Sequence, residues 1–179
     1  MDNNDRKNDA DRILYEFGLF KKLEEIGNVH IIGSYRMDMM AWNDLDIDIE
    51  NDTMSLEKLY ELSTFVMNTF HPLWYEAKEE INAEGKRVWF HGFETTITGE
   101  LWNVDLWFFD KETIVNAENY CDNIAKEATG TQKEIIINIK SELIERELYS
   151  FEQYKSIDVY KAVLENGVKS SEEFLELFG

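Results

Sequence analysis

From Asp44 to Glu50 the chain reads DLDIDIE, seven residues that alternate carboxylate and aliphatic side chains without a break. Alternation with period two describes an extended strand, whose successive side chains leave on opposite faces of a sheet. Leu45, Ile47 and Ile49 are then offered to a core, while Asp44, Asp46, Asp48 and Glu50 share the other face. Like charges lined up on one face repel, and strands are generally poor in Asp. The segment therefore demands two things of the fold: a sheet covered on its aliphatic face, and a reason for gathering acids on the other.

The flanking sequence supplies the rest of that sheet. Apolar residues at Ile13, Phe17, Phe20, Leu23 and Ile26 follow helical spacing between Asp9 and Gly27, with Gly27 as the stop. NVHIIGS reads as a short buried strand ending at Gly33-Ser34, and YRMDMMAWN as a turn or one short helix. Leu59, Leu62, Val66 and Phe70 mark a second helix from about Met54, closed near Pro72. LWYEAKEE, KRVWFHGFETTIT and ELWNVDLWFF are rich in aromatic and β-branched residues and are separated by NAEG and Thr98-Gly99, which predicts a three-stranded meander. After Asp110 the pattern is helical, with capping boxes expected at Thr131 to Glu134, Ser150 to Gln153 and Ser170 to Glu173. The expected fold is α+β, a mixed sheet flanked by helices with a C-terminal helical extension. Residues 1–110 would form the core domain and 111–179 a helical region packed on it.

Charge narrows the function. Lys and Arg number 18 against 37 Asp and Glu, a net charge of −19 over 179 residues. Such a surface repels phosphate backbones, so a bulk nucleic-acid binder is disfavoured, and it attracts metal ions or cationic small molecules. The single cysteine, Cys121, excludes an internal disulfide and a cysteine-rich zinc site, and suits a reducing cytoplasm. The opening MDNNDRKNDAD is too polar for a signal peptide, and no stretch long enough to span a membrane is free of charge.

Three explanations compete for the acidic strand. One is a solvated exposed face, against which stands the hydrophobic density of the neighbouring strands. A second is a calcium loop counted from Asp46 through Asp48, Glu50 and Asp52 to Glu57; its turn position is Asn51 rather than Gly, and what precedes it is strand-like. The third is a magnesium site for phosphoryl chemistry. Two carboxylates at i and i+2 can share hard cations that bridge a nucleotide's phosphates. Gly33-Ser34, at a strand end before a turn, offers backbone amides and a hydroxyl to those phosphates. Asp105, a lone acid in the apolar run WNVDLWFF, qualifies as a third carboxylate, since a charge there is costly unless paired or metal-bound.

In this order the residues resemble the nucleotidyltransferase superfamily that includes DNA polymerase β. The family signature is an apolar residue before Gly-[Gly/Ser], then, about nine to thirteen residues on, Asp-apolar-[Asp/Glu]-apolar; IGSYRMDMMAWNDLDI satisfies each part. The third family acid lies on a later strand between apolar residues, as Asp105 does in VDL. Two departures stand: Met37-Asp38 replaces a common glycine, and Asp46-Ile-Asp48 fits the signature as well as Asp44-Leu-Asp46, the register preferred here because Asn43 matches the usual turn residue. The resemblance implies transfer of a nucleoside monophosphate, AMP in the first instance, from a Mg²⁺- or Mn²⁺-bound NTP to a hydroxyl. Asp44, Asp46 and Asp105 would be catalytic and hold two metal ions. Gly33, Ser34 and Arg36 would bind the nucleotide, although Arg36 also suits a surface ion pair, and Lys133 and Lys140 are weaker candidates. The acceptor is expected to be a small, cationic molecule such as an aminoglycoside or lincosamide. A partner protein, modified as in the antitoxin-like branch, and a non-catalytic nucleotide- or metal-binding module are the alternatives.

Overall fold

The computed structural model describes residues 1–82, 84–150 and 153–178. Eight α-helices and five strands are present among them, in the order α1 (Asn3–Asp11), a π-helical turn (Arg12–Glu16), α2 (Leu19–Glu24), β1 (Val29–Ile31), α3 (Gly33–Met37), β2 (Asp44–Glu50), α4 (Leu56–Phe70), β3 (Trp74–Ile81), β4 (Arg87–Ile97), β5 (Glu100–Phe109), α5 (Lys111–Glu127), α6 (Gly130–Glu145), α7 (Ser156–Leu164) and α8 (Ser171–Phe178). The sheet order is β1-β2-β5-β4-β3. β3, β4 and β5 form the expected antiparallel meander. β2 runs antiparallel to β1 and parallel to β5, so the sheet is mixed and the acidic strand lies inside it.

Two asparagines pin the parallel pair. Asn43 Nδ2 donates to the Leu101 carbonyl at 3.1 Å at one end of β2, and Asn51 Nδ2 reaches the Phe108 and Arg87 carbonyls, each at 3.2 Å, at the other. Register matters here because a slip of one residue would turn every carboxylate of β2 into the core.

The aliphatic face of β2 behaves as the alternation dictates: Leu45, Ile47 and Ile49 are fully buried with Val104, Leu106, Phe108, Phe93 and Trp102 against α2 and α4. A second cluster joins Met37 and Met39, around α3, to residues of α5, α6, α7 and α8, including Cys121, Ile136, Leu143 and Phe174. The pieces before and after the sheet are thus both welded to it, and no helix among the described residues is long and apolar enough to cross a membrane.

Local details depart from expectation. The N-terminal helix begins at Asn3, where Asp2 and Asp5 form a capping box, and it breaks at Gly18, held at φ 77°. That polar stretch has work to do: Asn3 and Arg6 bond the backbone of Met40, at 2.8 and 3.3 Å, and so anchor the loop leading into β2. The cap of α6 is Thr129 with Gln132, two residues before the expected Thr131. An apolar run starting at Ile135 does not distinguish the two threonines, and the chain turns at the earlier one. Ser170 does cap α8, its Oγ accepting from Glu173 N at 3.3 Å. Ser150 accepts from Gln153 N at 3.2 Å, but α7 starts later, at Ser156 with Lys155 and Asp158, and residues 151–152 between them lie outside the described residues.

Candidate active site

The pairing of β2 with β5 sets Asp46 directly opposite Asp105, and Asp44 opposite Asn103. All four side chains rise from the non-core face. One carboxylate oxygen from each of Asp44, Asp46 and Asp105 lies within 4.8 Å of the others. No Lys, Arg or His makes an ion pair with any of the three within 4.0 Å among the described residues; the one polar partner is Asn103, whose Nδ2 donates to Asp44 Oδ1 at 2.8 Å.

β1 ends beside this group. Ile32 N bonds the Asp46 carbonyl at 3.1 Å, and the next residue, Gly33, turns into α3 at φ +65°. A β-carbon on Gly33 would stand 2.1 Å from Asp46 Oδ2, so any other residue here would be strained at this φ and would push the carboxylate aside. Ser34 follows, buried, with an Oγ that has no hydrogen-bond partner among the described residues. A buried hydroxyl left unsatisfied is costly unless a ligand completes it.

The electrostatics are those of an incomplete site. Burial, then the neighbouring charge of Asp46, raises Asp44 well above the ordinary carboxylate range, and the Asn103 bond only partly opposes this. Asp46 is pushed up to about 6 by burial and by Asp105, and Asp105 is itself raised by burial. Three acids that resist ionising together, two of them on one strand, match a bound cation rather than a solvated face. Hard oxygen donors suit Mg²⁺ or Mn²⁺. The residues therefore fit the metal site that the sequence resemblance leads one to expect.

The remaining acids of β2 have other surroundings. Asp48 is 2% exposed, has an Oδ1 unpaired among the described residues, and is raised to about 7 by burial and by Glu118 of α5. This separates the two possible registers: Asp48 stands toward α5, not with Asp105. Glu57 lies in the first turn of α4, outside the carboxylate group, which removes the calcium loop.

Arg36 makes ion pairs: Nε and Nη2 donate to Asp122 at 2.7 and 3.0 Å and Nη1 to Glu118 at 2.7 Å, tying α3 to α5. Lys133 donates to the Met37 carbonyl at 2.9 Å. Lys140, by contrast, is 2% exposed and close enough to feel Asp44 and Asp46, which partly offset the lowering of its pKa by burial. Its ammonium lies 5.5 Å from the Tyr149 ring and 5.6 Å from that of Tyr160. The sequence carried a signal for it: Lys140 lies at core spacing with Ile136 and Leu143 on α6, where an unpaired charge has no structural use.

Two cavities meet at the Asp pair. One, of about 280 Å³, is lined by Gly33, Ser34, Asp44, Asp46, Lys140 and Ser156 among others. The other, of about 460 Å³, runs from Asp44, Asp46 and Asp105 toward Trp42, Tyr149 and Tyr154. Trp102 belongs to the core and Trp107 lies on the acidic face, while Tyr149 and Tyr154, which line the larger cavity, carry no recognisable spacing in the sequence.

No protein-family model matches the sequence, and no curated protein matches it significantly. Solved structures do. The chain is similar to the Cid1 poly(U) polymerase bound to Mg and 3′-dATP (TM-score 0.59, 16% identity, 88% of this chain and 49% of the other). It is similar to the polymerase core of TRAMP, an RNA surveillance complex (0.59, 14%, 94% and 55%), and to a cytoplasmic RNA terminal U-transferase (0.60, 16%, 89% and 47%). The chain spans about half the length of these structures. At such identities the likeness concerns the fold alone: this chain shares the fold of these polymerase and transferase structures, and gathers three carboxylates on the non-core face of its sheet.

Proposed function

We propose that the protein is a metal-dependent nucleotidyltransferase that moves a nucleoside monophosphate, AMP in the first instance, from an NTP to a hydroxyl of a small cationic acceptor. The observation that carries this reading is the convergence of Asp44, Asp46 and Asp105 beside the Gly33-Ser34 turn. The smaller cavity, with the free Ser34 hydroxyl and the buried Lys140, suits the β- and γ-phosphates. The larger suits the nucleoside, with Trp42, Tyr149 or Tyr154 available to its base.

Asp44, Asp46 and Asp105 would hold the metal, two ions in the expected case, which supplies neutralisation of the phosphates and acidification of the acceptor hydroxyl. Asp105, farthest along the sheet from Ser34, orients that hydroxyl opposite the leaving group. Its raised affinity for protons also suits it to take up the proton that this hydroxyl gives up. The acceptor oxygen bonds to the α-phosphorus, the bond from that phosphorus to the pyrophosphate oxygen breaks, and pyrophosphate departs past Ser34 and Lys140.

A second reading has the 3′-hydroxyl of an RNA as acceptor, favoured by the solved structures of similar fold, which are named as RNA-acting polymerases and transferases. The net charge of −19 weighs against it. Incubation with α-labelled ATP and Mg²⁺ in the presence of amino-sugars, oligoribonucleotides and a host lysate tests all of this. Label is expected on the small molecule; label on RNA selects the second reading, and label on one protein band the antitoxin-like alternative. Asp105→Asn is expected to lower kcat by orders of magnitude while Mg-ATP binding persists. Unchanged turnover in that variant would remove Asp105 from the chemistry.

A further inference from the structure

Asn43, Asn51 and Asn103 all serve the parallel pair of β2 and β5, but only one of them directs its amide at an acid. Asn43 and Asn51 bond backbone carbonyls and so fix the register. Asn103, directly opposite Asp44, instead donates Nδ2 to Asp44 Oδ1 at 2.8 Å. Its backbone has no need of that bond, since Asn103 N already reaches the Asn43 carbonyl at 3.0 Å. Asp105 lies two residues further along β5, on the same face as Asn103. Burial raises the affinity of Asp105 for protons, and a hydrogen bond from the Asn103 side chain opposes the rise. The amide therefore stands between two acids of the group, and it lines the larger cavity together with all three.

The residue type follows from the position. Glu94 of β4 faces Asn103 from its other side. A carboxylate at 103 would stand between Asp44 and Glu94, and like charges directly opposed across strands destabilise a sheet. A Lys or Arg there would hold the acids but bring its own charge to the place that attracts a cation. A side-chain amide offers two donors and carries no charge.

We infer that Asn103 is a positioning residue of the carboxylate group: its amide holds Asp44 and steadies Asp105, so that the three acids stand within a divalent cation's reach of one another before the cation arrives. Carboxylates that ligate metals are themselves oriented by hydrogen bonds, and loss of such a partner costs about 10–100-fold in metal affinity or activity. The inference rests on the metal-dependent reading of the site and adds to it a residue that binds neither nucleotide nor metal.

Mn²⁺ alone, without nucleotide, is the probe, and its binding to the full chain is followed by loss of the free ion's electron paramagnetic resonance signal. Asn103→Leu keeps the approximate shape of the side chain and removes both donors. It is expected to weaken Mn²⁺ binding about tenfold or more. Asn43→Ala removes the strand-end bond to the Leu101 carbonyl and no bond to an acid, so it should lower the melting temperature and leave the Mn²⁺ affinity unchanged. Should circular dichroism show Asn103→Leu unfolded, Asn103→Gln takes its place; it keeps the amide but displaces it by one methylene, and the same loss is expected. Unchanged Mn²⁺ affinity in the Asn103 variant would show that the acids need no such help and overturns the assignment. An equal loss in Asn43→Ala also overturns it, because register alone would then account for the effect. If the unchanged protein binds no Mn²⁺, the proposed reaction falls and Asn103 has nothing to position; normal binding by the unchanged protein and its Asn103 variant alike defeats the positioning role only.

Discussion

At the scale of single residues, the acids of β2 make a prediction about pH. Burial raises Asp46 to about 6 and Asp48 to about 7, both from 3.8, so the folded chain holds protons that the unfolded chain has already released. Stability is therefore greatest below the unfolded value and is lost as pH rises from about 4 through about 7; a displacement of about two units corresponds to about 3 kcal/mol. Each kcal/mol moves Tm by about 2–4 °C in a chain of this size. Without divalent metal the protein should melt several degrees lower at about pH 8 than at about pH 5. Mg²⁺ or Mn²⁺ should recover much of that loss at the higher pH and little at the lower, because protons compete for the same oxygens. Scanning calorimetry at both pH values, with and without metal, reads this; a Tm that is independent of pH, or a metal effect equal at both, defeats it. The acids themselves were legible because period two is a strong signal. Lys140 was legible only as a weak candidate, since its meaning depends on α6 being laid against Asp44 and Asp46, a contact between residues nearly a hundred positions apart. Ser34 was recognised by its neighbours in sequence, yet its unpaired Oγ is visible only in three dimensions.

At the scale of elements, β2 to β5 were read almost residue for residue; β1 stops at Ile31, short of the expected Gly33-Ser34, which open α3, and the helix ends were not read. A strand is announced by alternation, and the aromatic runs of β3, β4 and β5 are bounded by turns that cannot extend them. Helix ends turn on one hydrogen bond among several equivalent candidates. Thr129 and Thr131 are the clearest case: both precede the apolar run of α6, but only Thr129 accepts from a backbone amide, that of Gln132, whose side chain returns the bond at 3.0 Å. Thr129→Ala should then cost about 1 kcal/mol, while Thr131→Ala, one residue inside the helix, should change stability by only a few tenths of that. Urea unfolding of the two variants decides between them, and equal losses would show that the cap is shared. The N-terminal helix illustrates the same limit. The apolar spacing from Asp9 to Gly27 is real, but a left-handed Gly18 divides it, and the polar residues before it find their partners in the loop at Met40.

At the scale of the whole molecule, the expected division into a core at 1–110 and helices at 111–179 is a proposal with a physical consequence. β1 and α3 carry Gly33 and Ser34, but the apolar residues that follow, Met37 and Met39, are buried in the second cluster with Cys121, Ile136, Ile139 and Leu143. Arg36 is held by Glu118 and Asp122, and the smaller cavity takes one wall from Lys140, Ser156 and Tyr160. Removing the helices would therefore expose two buried methionines, each worth about 1.5–3 kcal/mol of transfer free energy, and would release the turn that faces Asp46. The sheet's other face would keep its cover, since α1, α2 and α4 all lie before residue 110. A chain ending at Asp110 should accordingly retain strand content by circular dichroism but lose several kcal/mol of stability and all measurable Mg-ATP affinity. Adding residues 111–179 as a separate polypeptide should restore part of both if the two pieces are structural units joined by packing. A 1–110 fragment that binds Mg-ATP as tightly as the full chain would show that the nucleotide needs only the sheet and Ser34, and that Lys140 is held in the core for some purpose other than phosphate.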